Sequence, residues 1–353
     1  MKSRHWFYKL LTVVCVFACL GVPYAQMVPN LEASPLVLRV SFMGPSTGTT
    51  SMFLQKALNE AEQVTEGRIK AEVYWSESLM KTKDTLRGIQ KGICSMGFIG
   101  AAYFPAELPL TNSHGYILYA PKGNDTSWMA RKAWEFLDRS KDISDEFQKW
   151  GQTVWMVFPY DSYCLFTNKK IVKTCEDFKG LRIKISAEGQ AKMVNAIGGN
   201  PVFLTTGDTY AALQKRTIDG YMIGWETAKR YSLHEVTEYI AETDAFLMFG
   251  FITVSLQDLD RMSKKDKESF LEVGRRFSVQ LGEALNDERN SIKIFMEKRG
   301  INITPFPNEE KIKWAKTPQV QGLIKNWIDE QNAAGRPGTK VMETLLNTFE
   351  IPK

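Results

Sequence analysis

Short apolar runs alternate with amphipathic stretches through the first hundred residues of the chain. Apolar residues recur at helical spacing over 50–65 and 82–91, and a glycine follows closely on both stretches. The runs at 38–43, 68–75 and 94–99 are short and rich in apolar residues, which is typical of strands. Helices that alternate with strands predict a parallel sheet covered on both faces.

The same alternation continues in a second block, after a helical stretch at 124–151 and a strong strand at 153–158. In this part of the chain the predicted strands are 164–167, 181–185, 218–223 and 302–306, and the predicted helices are 188–197 and 208–215. A run at 246–255 is long and apolar enough to return the chain to the first sheet. Because 353 residues exceed one comfortable hydrophobic core, the two blocks predict two lobes of α/β architecture.

A long helix is predicted after Ser263, a suitable N-cap with an acidic residue in the first turn. No proline interrupts 264–299, and Gly300 supplies the stop. Such a helix would be on the order of 50 Å long. That length exceeds one small lobe, so we expect the helix to span both lobes, with Gly274 and Gly282 as candidate bend points.

The first 25 residues differ from the rest of the chain. Three basic residues precede an apolar core at 10–22, and the stretch ends at Ala25. This pattern is that of a secretory signal peptide. A retained N-terminal anchor and a lipid-modified Cys19 are the alternatives. Removing the three positive charges lowers the net charge from +5 to +2, so no basic surface remains that would favour a nucleic-acid partner.

The chemistry-bearing residue types are sparse in the remaining chain. Three cysteines and two histidines are left, without the spacing of metal ligands, and no phosphate-binding or dinucleotide glycine motif occurs. We therefore expect no metal and no cofactor. Cys164 and Cys175 are close enough in sequence to bridge a short loop, and the sequence leaves open whether they do.

One motif suggests catalysis. Residues 44–48 read Gly-Pro-Ser-Thr-Gly, which matches the nucleophile elbow of serine hydrolases and stands between a strand and a helix. The motif follows the first strand, however, and only His114 and His234 are available as a base. We interpret 44–48 as a strand-to-helix turn whose backbone lines a cleft, with a secreted hydrolase using Ser46 as the alternative.

Two cations on one strand indicate an anion site. Side chains alternate along a strand, so Arg182 and Lys184 share a face opposite the apolar residues. Ligands of open α/β sheets lie beyond the C-terminal ends of the strands, and Lys184 is nearer that end. The sequence does not decide which of the two cations holds the anion.

These residues resemble the periplasmic solute-binding proteins of tripartite ATP-independent periplasmic (TRAP) transporters, the DctP family. The resemblance extends over about 37–335, and its marks are 67–73, 88–92, 105–110, 177–185 (DFKGLRIKI), 210–214 (YAALQ) and 219–220. It implies two α/β lobes around a cleft and a long helix across both. It also implies a binding protein rather than an enzyme, which closes on its solute and delivers it to the permease subunits in the membrane.

Two departures from the family pattern concern the pocket. The family usually carries an arginine, which clamps a carboxylate with two hydrogen bonds, where this chain has Lys184, and lysine cannot make that bidentate pairing. Met222 and Ile223 stand where members that bind sugar acids often have polar residues. With aromatic residues nearby, the pocket is expected to be apolar and to suit an aromatic or branched aliphatic carboxylate.

The sequence thus predicts a periplasmic receptor for a small organic acid, with a sensor domain as a further alternative. The predicted segments are a signal peptide at 1–25, lobe I at 37–161 and 250–289, and lobe II with the C-terminal helices at 162–249 and 290–353. The candidate ligand contacts are Lys184, Arg182, Tyr163, Trp225, Tyr221, Ser46, Thr47, Tyr103 and Met222.

Overall fold

Two β-sheets organise the chain in the computed structural model, which describes residues 34–186 and 188–351. The first sheet has the order β2-β1-β3-β10-β4, with β1 Leu36–Ser41, β2 Ile69–Tyr74, β3 Met96–Ile99, β4 Gln152–Pro159 and β10 Phe249–Ser255. Strand β1 is parallel to β2 and β3, whereas β10 is antiparallel to both its neighbours. The C-terminal ends of β1 to β4 therefore lie at the same edge of this sheet.

The second sheet has six strands in the order β11-β9-β5-β8-β6-β7. Its strands are β5 Tyr163–Thr167, β6 Arg182–Ile185, β7 Asn200–Phe203, β8 Gly220–Ile223, β9 Tyr239–Ala245 and β11 Asn302–Pro305. Strand β6 is parallel to β7 and β8, and β5 is antiparallel to β8. We call the two sheets with their helices lobe I and lobe II.

Twelve α-helices cover the sheets in the described part of the chain. They are α1 Thr49–Val64, α2 Thr85–Gln90, α3 Thr126–Arg139, α4 Lys141–Lys149, α5 Glu188–Asn195, α6 Thr209–Gln214, α7 Trp225–Arg230, α8 Leu256–Asp260, α9 Lys264–Glu297, α10 Asn308–Ala315, α11 Pro318–Ala333 and α12 Gly338–Thr348. Among the residues that the structure describes, no helix is both long and apolar enough to cross a membrane.

Helix α9 connects the two lobes as predicted. Ser263 caps it by accepting a hydrogen bond from the amide of Asp266 at 3.1 Å, and Gly300 has the left-handed φ of 81° that ends it. Phe277 belongs to the core under the first sheet, whereas Ile292 belongs to the core of the second. The two-lobed α/β fold with a long helix across both lobes is confirmed.

The two glycines of α9 have a packing role. A Cβ at Gly274 would stand 2.1 Å from the carbonyl oxygen of Trp155, and a Cβ at Gly282 would stand 2.6 Å from the backbone of Ser127. The glycines therefore allow β4 and the start of α3 to approach the helix. The helix continues through both positions from Lys264 to Glu297.

Two chain segments cross between the sheets side by side. The first joins β4 to β5 through 160–162, and the second joins β9 to β10 through 246–248. The Tyr160 amide donates to the Met248 carbonyl at 3.2 Å and holds the two segments together. Asp244 accepts from Ser162 at 3.0 Å and from the Lys311 ammonium at 2.8 Å, which fastens both segments to α10.

Two sequence expectations, on 124–151 and on α12, need correction, and one open question, the pairing of Cys164 and Cys175, is answered. The stretch 124–151 forms two helices, because the backbone of Ser140 leaves the helical region (φ −116°, ψ 86°). Cys164 and Cys175 are buried free thiols and form no bridge. Helix α12, which we grouped with lobe II, packs its buried face against α3 in the core of lobe I. The other lobe boundaries stay predictions, and the proposed signal peptide lies outside the described residues.

Candidate functional site

A cavity of about 730 Å³ lies between the two lobes. Lobe I lines it with residues at or after the C-terminal ends of β1, β2, β3 and β4, namely 42–45, 47–51, Glu77, Tyr103 and 158–161. Lobe II contributes Gly224 and the first turns of α7, directly after the end of β8. Ligands of α/β sheets bind at this edge, and the volume is in the range of small-molecule sites. We call this space the interlobe cavity.

The turn after β1 is held in place by contacts within the turn itself. Gly48 has φ 97°, a conformation that favours glycine, and it starts α1. The Ser51 hydroxyl donates to the Pro45 carbonyl at 2.6 Å across the turn. Thr47 lines the cavity, as predicted for this turn, whereas Ser46 is exposed outside the lining. The loop is therefore a fixed wall of the cavity.

Aromatic rings form much of the lobe I wall. Phe42 and Phe158 lie 5.7 Å apart between ring centroids, and Phe158 and Tyr160 lie 6.0 Å apart. Tyr103 adds an exposed ring, 57% accessible, from the segment after β3. Tyr160 hydroxyl ionisation is disfavoured, since burial raises its pKa. Phe42 and Phe158 are almost fully buried, so the rings that this wall exposes to a ligand are those of Tyr103 and, in part, Tyr160.

The negative charges of two acidic residues in the cavity wall are compensated by neighbouring groups of the protein. Glu77 accepts hydrogen bonds from the amide and hydroxyl of Thr82 and from Lys81, which lower its pKa to about 2. Glu226 pairs with Arg230 at 3.0 Å on the surface of α7. These groups keep the walls in place and leave little charge for a ligand.

Two other carboxylates have free oxygens. Asp161 accepts from the Trp225 amide at 2.9 Å through Oδ2, while its Oδ1 is buried without a hydrogen bond, 3.8 Å from the Arg289 guanidinium. Burial raises the Asp161 pKa to about 7, although Arg289 lowers it in part. Glu288 also has a buried Oε2 without a partner. Both residues line the cavity near the crossing segments.

Lys184 lies at the same edge of the second sheet. Its strand β6 is hydrogen-bonded next to β8, whose end at Gly224 lines the interlobe cavity. The side chain is 0% exposed, and its ammonium contacts the hydroxyls of Ser186 at 2.8 Å and Thr206 at 3.5 Å. Burial lowers the Lys184 pKa. Within the described residues Lys184 has no carboxylate partner, so its charge is uncompensated.

Arg182 has a different environment from Lys184. Its guanidinium binds both oxygens of Asp219, at 3.1 Å and 2.9 Å, and donates to the Arg216 carbonyl. The hydrogen bonds from Arg182 lower the Asp219 pKa to about 2. Arg182 stands at the start of β6, away from the edge that bears the cavity, so the structure does not bring the two cations together.

Of the other predicted contacts, three lie in the lobe II core. Tyr221 stacks on Phe166 with 4.9 Å between centroids and bonds Thr237 through its hydroxyl. Met222 and Trp225 are fully buried as well. The structure does not place these side chains in the cavity lining. Tyr221 and Met222 lie on β8, an interior strand of the sheet, and Trp225, the first residue of α7, packs edge-on against Phe166 at 5.5 Å between centroids. Tyr163 is half-buried at the same sheet edge and packs on Phe246.

Asp161, Glu288 and the rings of Phe42, Phe158 and Tyr160 are not predicted from the sequence, whereas Tyr103 is. A usable signal existed for Asp161, because it follows directly on a predicted strand whose end faces the cleft. Glu288 carried no such signal, since one acidic residue on a charged helix face resembles a solvated one. Among the described residues, no cluster of side chains has the composition of a metal site.

The chain has clear relatives. A model of the family described as bacterial extracellular solute-binding protein, family 7 (DctP) matches residues 43–326. The sialic acid-binding periplasmic protein SiaP of Vibrio cholerae is 23% identical over 290 residues, which cover 80% of this chain and 87% of that protein. These matches rest on sequence alone.

Solved structures share the fold. A TRAP periplasmic solute-binding protein of Desulfovibrio salexigens covers 90% of this chain and 96% of its own, with 21% identity and a TM-score of 0.80. A TRAP solute-binding protein from a marine metagenome, specific for aromatic acid ligands, covers 90% of this chain and 99% of its own, with 18% identity and a TM-score of 0.72. Because the family model spans most of the sequence, the chain belongs to the DctP family of bacterial extracellular solute-binding proteins.

Proposed function

We propose that the protein is a periplasmic receptor that binds a small organic monocarboxylate between its lobes and delivers it to the permease subunits of a TRAP transporter. Membership of the DctP family supports the receptor role. The interlobe cavity supports a small solute, because its walls come from the ligand-binding edges of both sheets. A periplasmic location agrees with the family and with the leader-like residues 1–25.

The uncompensated charge of Lys184 carries this proposal. A buried ammonium without a carboxylate partner costs free energy, so proteins keep such a group mainly where it has a use. Lys184 stands at the same edge of the second sheet as Gly224 but outside the residues that line the cavity. The family resemblance implies that its position corresponds to the carboxylate-binding arginine. An anionic solute would supply the missing negative charge.

The free carboxylates favour a solute with only one negative charge. Asp161 and Glu288 line the cavity with oxygens that lack hydrogen-bond partners. A second carboxylate on the solute would meet like charges there, which is unfavourable at close range. A solute with two acidic groups is therefore a poorer fit than a monocarboxylate.

The aromatic wall favours an aromatic or branched aliphatic acid over a sugar acid. The sequence predicts this preference from Met222 and Ile223 and from the aromatic residues near them, but Met222, Ile223, Tyr221 and Trp225 lie in the core. The support now comes from Tyr103, which is exposed, and Tyr160, which is half-buried, with Phe42 and Phe158 packed behind them. Buried hydroxyls of a sugar acid would lack partners along this wall, at about 1–3 kcal/mol for each one. The marine metagenome relative that is specific for aromatic acids shares this fold.

We also propose that the protein performs no reaction on its solute. His114, one of the two histidines in the described residues, is buried against Phe249 and bonded to the Thr111 carbonyl. His234 packs on Phe295. Neither hydrogen-bonds Ser46 in the described structure, so no observation favours the hydrolase alternative.

The export step has a direct test. If residues 1–25 are a cleaved signal peptide, the protein recovered from the periplasm begins near Gln26. N-terminal sequencing of that fraction is the measurement. An intact Met1 in the membrane fraction would contradict the proposal.

The binding site is tested with Lys184→Met. A thermal-shift screen of aromatic, branched aliphatic and sugar acids first identifies an acid that binds, since a ligand of the native state raises the melting temperature. Calorimetry should then show that Lys184→Met loses about 1.5–3 kcal/mol of binding free energy, the scale of a charge-assisted hydrogen bond. That loss is at least about tenfold in affinity.

The control is Lys215→Met, which removes an exposed cation of the same lobe outside the cavity lining. Its affinity should match that of the wild type. Equal affinity in the wild type and in Lys184→Met would refute the role of Lys184. Strong shifts with uronates and none with aromatic or branched acids would refute the solute class.

A further inference from the structure

Positive charge is concentrated at the end of lobe II that lies away from the interlobe cavity. The cations belong to two segments, the connection 168–181 between β5 and β6 and the end of α6 before β8. Both segments reach the same edge of the sheet, because Thr167 at the end of β5 pairs with Gly220 at the start of β8, and Gly220 pairs with Ile183 of β6. We call this surface the basic end; its cations are Lys169, Lys170, Lys173, Lys179, Lys215 and Arg216.

Backbone contacts hold the two segments of the basic end together. The Asn168 side-chain amide donates to the Leu213 carbonyl at 3.3 Å. Arg182, the first residue of β6, donates to the Arg216 carbonyl at 2.7 Å. The cations therefore stay close to one another, although like charges repel.

Most of these charges are uncompensated. Of the six cations, only Lys169 has a carboxylate partner among the described residues, and that partner, Asp219 at 3.4 Å, is shared with Arg182. Arg182 brings the cations at this end to seven. Apart from the pair of Glu176 with Lys313, the carboxylates here are three: Asp177, Asp219 and Glu238.

The net charge of the mature chain, +2, conceals this concentration. The expectation that no basic surface remains after loss of the leader is wrong at this end, because folding gathers cations from segments that are distant in sequence. The rest of the mature chain is correspondingly negative. A partner of the basic end is therefore anionic.

The residue types indicate what kind of anionic partner fits. Five of the six cations are lysines, whose ammonium groups are point charges and do not form the bidentate pairs that favour a defined carboxylate. None of the six lines the interlobe cavity. Ile171, between Lys170 and Lys173, is 39% exposed. Clustered lysines around an exposed apolar side chain match the surface of an anionic bilayer, where the cations meet the phosphates and the apolar group enters the headgroup region.

We propose that the basic end docks the protein on an anionic lipid surface, with Ile171 entering among the headgroups. This inference goes beyond the proposed function, because it concerns the end of lobe II opposite the cavity edge. Docking there holds the receptor at a membrane and leaves the cavity residues uncovered.

The test is co-sedimentation of the full-length mature chain with lipid vesicles. The vesicles contain phosphatidylcholine alone or with about 30% phosphatidylglycerol, at about 20 mM and about 200 mM salt. We expect binding to the anionic vesicles at low salt, a loss of at least about tenfold at high salt, and no binding to the neutral vesicles. Binding to both kinds of vesicle alike would overturn the proposal.

Two variants test the assignment to the basic end. The double variant Lys215→Gln, Arg216→Gln should bind anionic vesicles about 5- to 25-fold more weakly, since each cation near such a surface contributes up to about fivefold. Ile171→Ser should weaken binding about 2- to 5-fold, because an apolar contact is lost. Melting temperatures show that each variant is folded.

The matched control is the double variant Lys264→Gln, Lys265→Gln. It removes the same charge from two exposed neighbours at the start of α9 in lobe I, so vesicle binding should stay within about twofold of the wild type. An equal loss in the two double variants would show a general effect of net charge and overturn the proposal. Unchanged binding in Ile171→Ser would also overturn it.

An acidic protein segment is the competing partner. A labelled hexaglutamate peptide, followed by fluorescence anisotropy at low salt, represents it. Peptide binding that depends on Lys215 and Arg216, together with no vesicle binding, would assign the basic end to a protein and overturn the lipid proposal. All variants should keep the wild-type affinity for the solute, and none of these outcomes bears on the proposed function.

Discussion

Asp161 should make the stability of the protein depend on pH in an unusual direction. Most native carboxylates stabilise the fold when ionised, but burial raises the Asp161 pKa to about 7, well above the ordinary value near 3.8. Its side chain is only 14% exposed, and Oδ1 has no hydrogen-bond partner. The ionised form is thus disfavoured in the folded state, so stability is lost as the pH rises through 7.

The magnitude follows from the two pKa values. The folded protein binds the Asp161 proton between about pH 4 and pH 7, whereas the unfolded chain releases it, so unfolding becomes easier across this window. The Asp161 pKa rises by about three units on folding. At 1.36 kcal/mol for each unit, the loss of stability is at most about 4 kcal/mol. Asp244 and Glu288 add to the effect by repulsion, and Arg289 opposes it.

Asp161→Asn removes the charge and keeps an oxygen that accepts from the Trp225 amide. Urea unfolding of both proteins from pH 4 to pH 8 is the measurement. We expect similar free energies of unfolding near pH 4, and an increasing advantage of the variant as the pH rises. Asp287→Asn, an exposed position beside Glu288 on α9, should show no such trend. A difference between the Asp161 variant and the wild type that is constant with pH, or that shrinks toward pH 8, would refute the reasoning.

Two further predictions concern packing and the second cation. Gly282→Ala should destabilise the protein by about 1–3 kcal/mol in urea unfolding, because the new methyl would meet the backbone of Ser127 at 2.6 Å. Gly322→Ala, in open space on α11, should instead stabilise by about 0.5–1 kcal/mol, and the same sign for both would contradict the packing role. Arg182→Met should lower the melting temperature, because the buried Asp219 loses its bidentate partner and keeps only Lys169, at 3.4 Å, as a cation, and should leave acid affinity unchanged. An affinity loss equal to that of Lys184→Met would show that Arg182 shares the anion site.

The fold was predictable where local signals decide it. The N-cap at Ser263, the absence of proline and the stop at Gly300 define α9 to within two residues of its observed end. Strand β9, Tyr239–Ala245, was missed because Glu242 and Asp244 interrupt its apolar pattern. Those charges are satisfied by lysines distant in sequence, Lys293 and Lys311. Patterns read along the chain do not contain such partners.

The candidate site was predictable to the same extent. The alternation along 181–185 located Lys184 on a strand face near its C-terminal end, and the structure places it there. The sequence could not separate Lys184 from Arg182, because the partner of Arg182 is Asp219, 37 residues away. The sequence also predicts Tyr221 in the pocket, but the ring stacks on Phe166. An aromatic residue next to a glycine has the same sequence pattern whether it faces a cavity or the core.

The charges around the cavity suggest that discrimination depends on repulsion as much as on attraction. Within the described residues, Lys83 in the lining and Lys184 at the lobe II edge have no carboxylate partner, while Asp161 Oδ1 and Glu288 Oε2 lack hydrogen-bond partners at the crossing segments and on α9. Cations attract mono- and dicarboxylates alike, because both offer an anionic oxygen. Selectivity is a difference between affinities, and an unfavourable contact with the wrong solute is one way to create it. Asp161, whose ionised form destabilises the empty protein as the pH approaches 7, is then a group that rejects a second negative charge, so Asp161→Asn should bind dicarboxylates more tightly even as it becomes more stable.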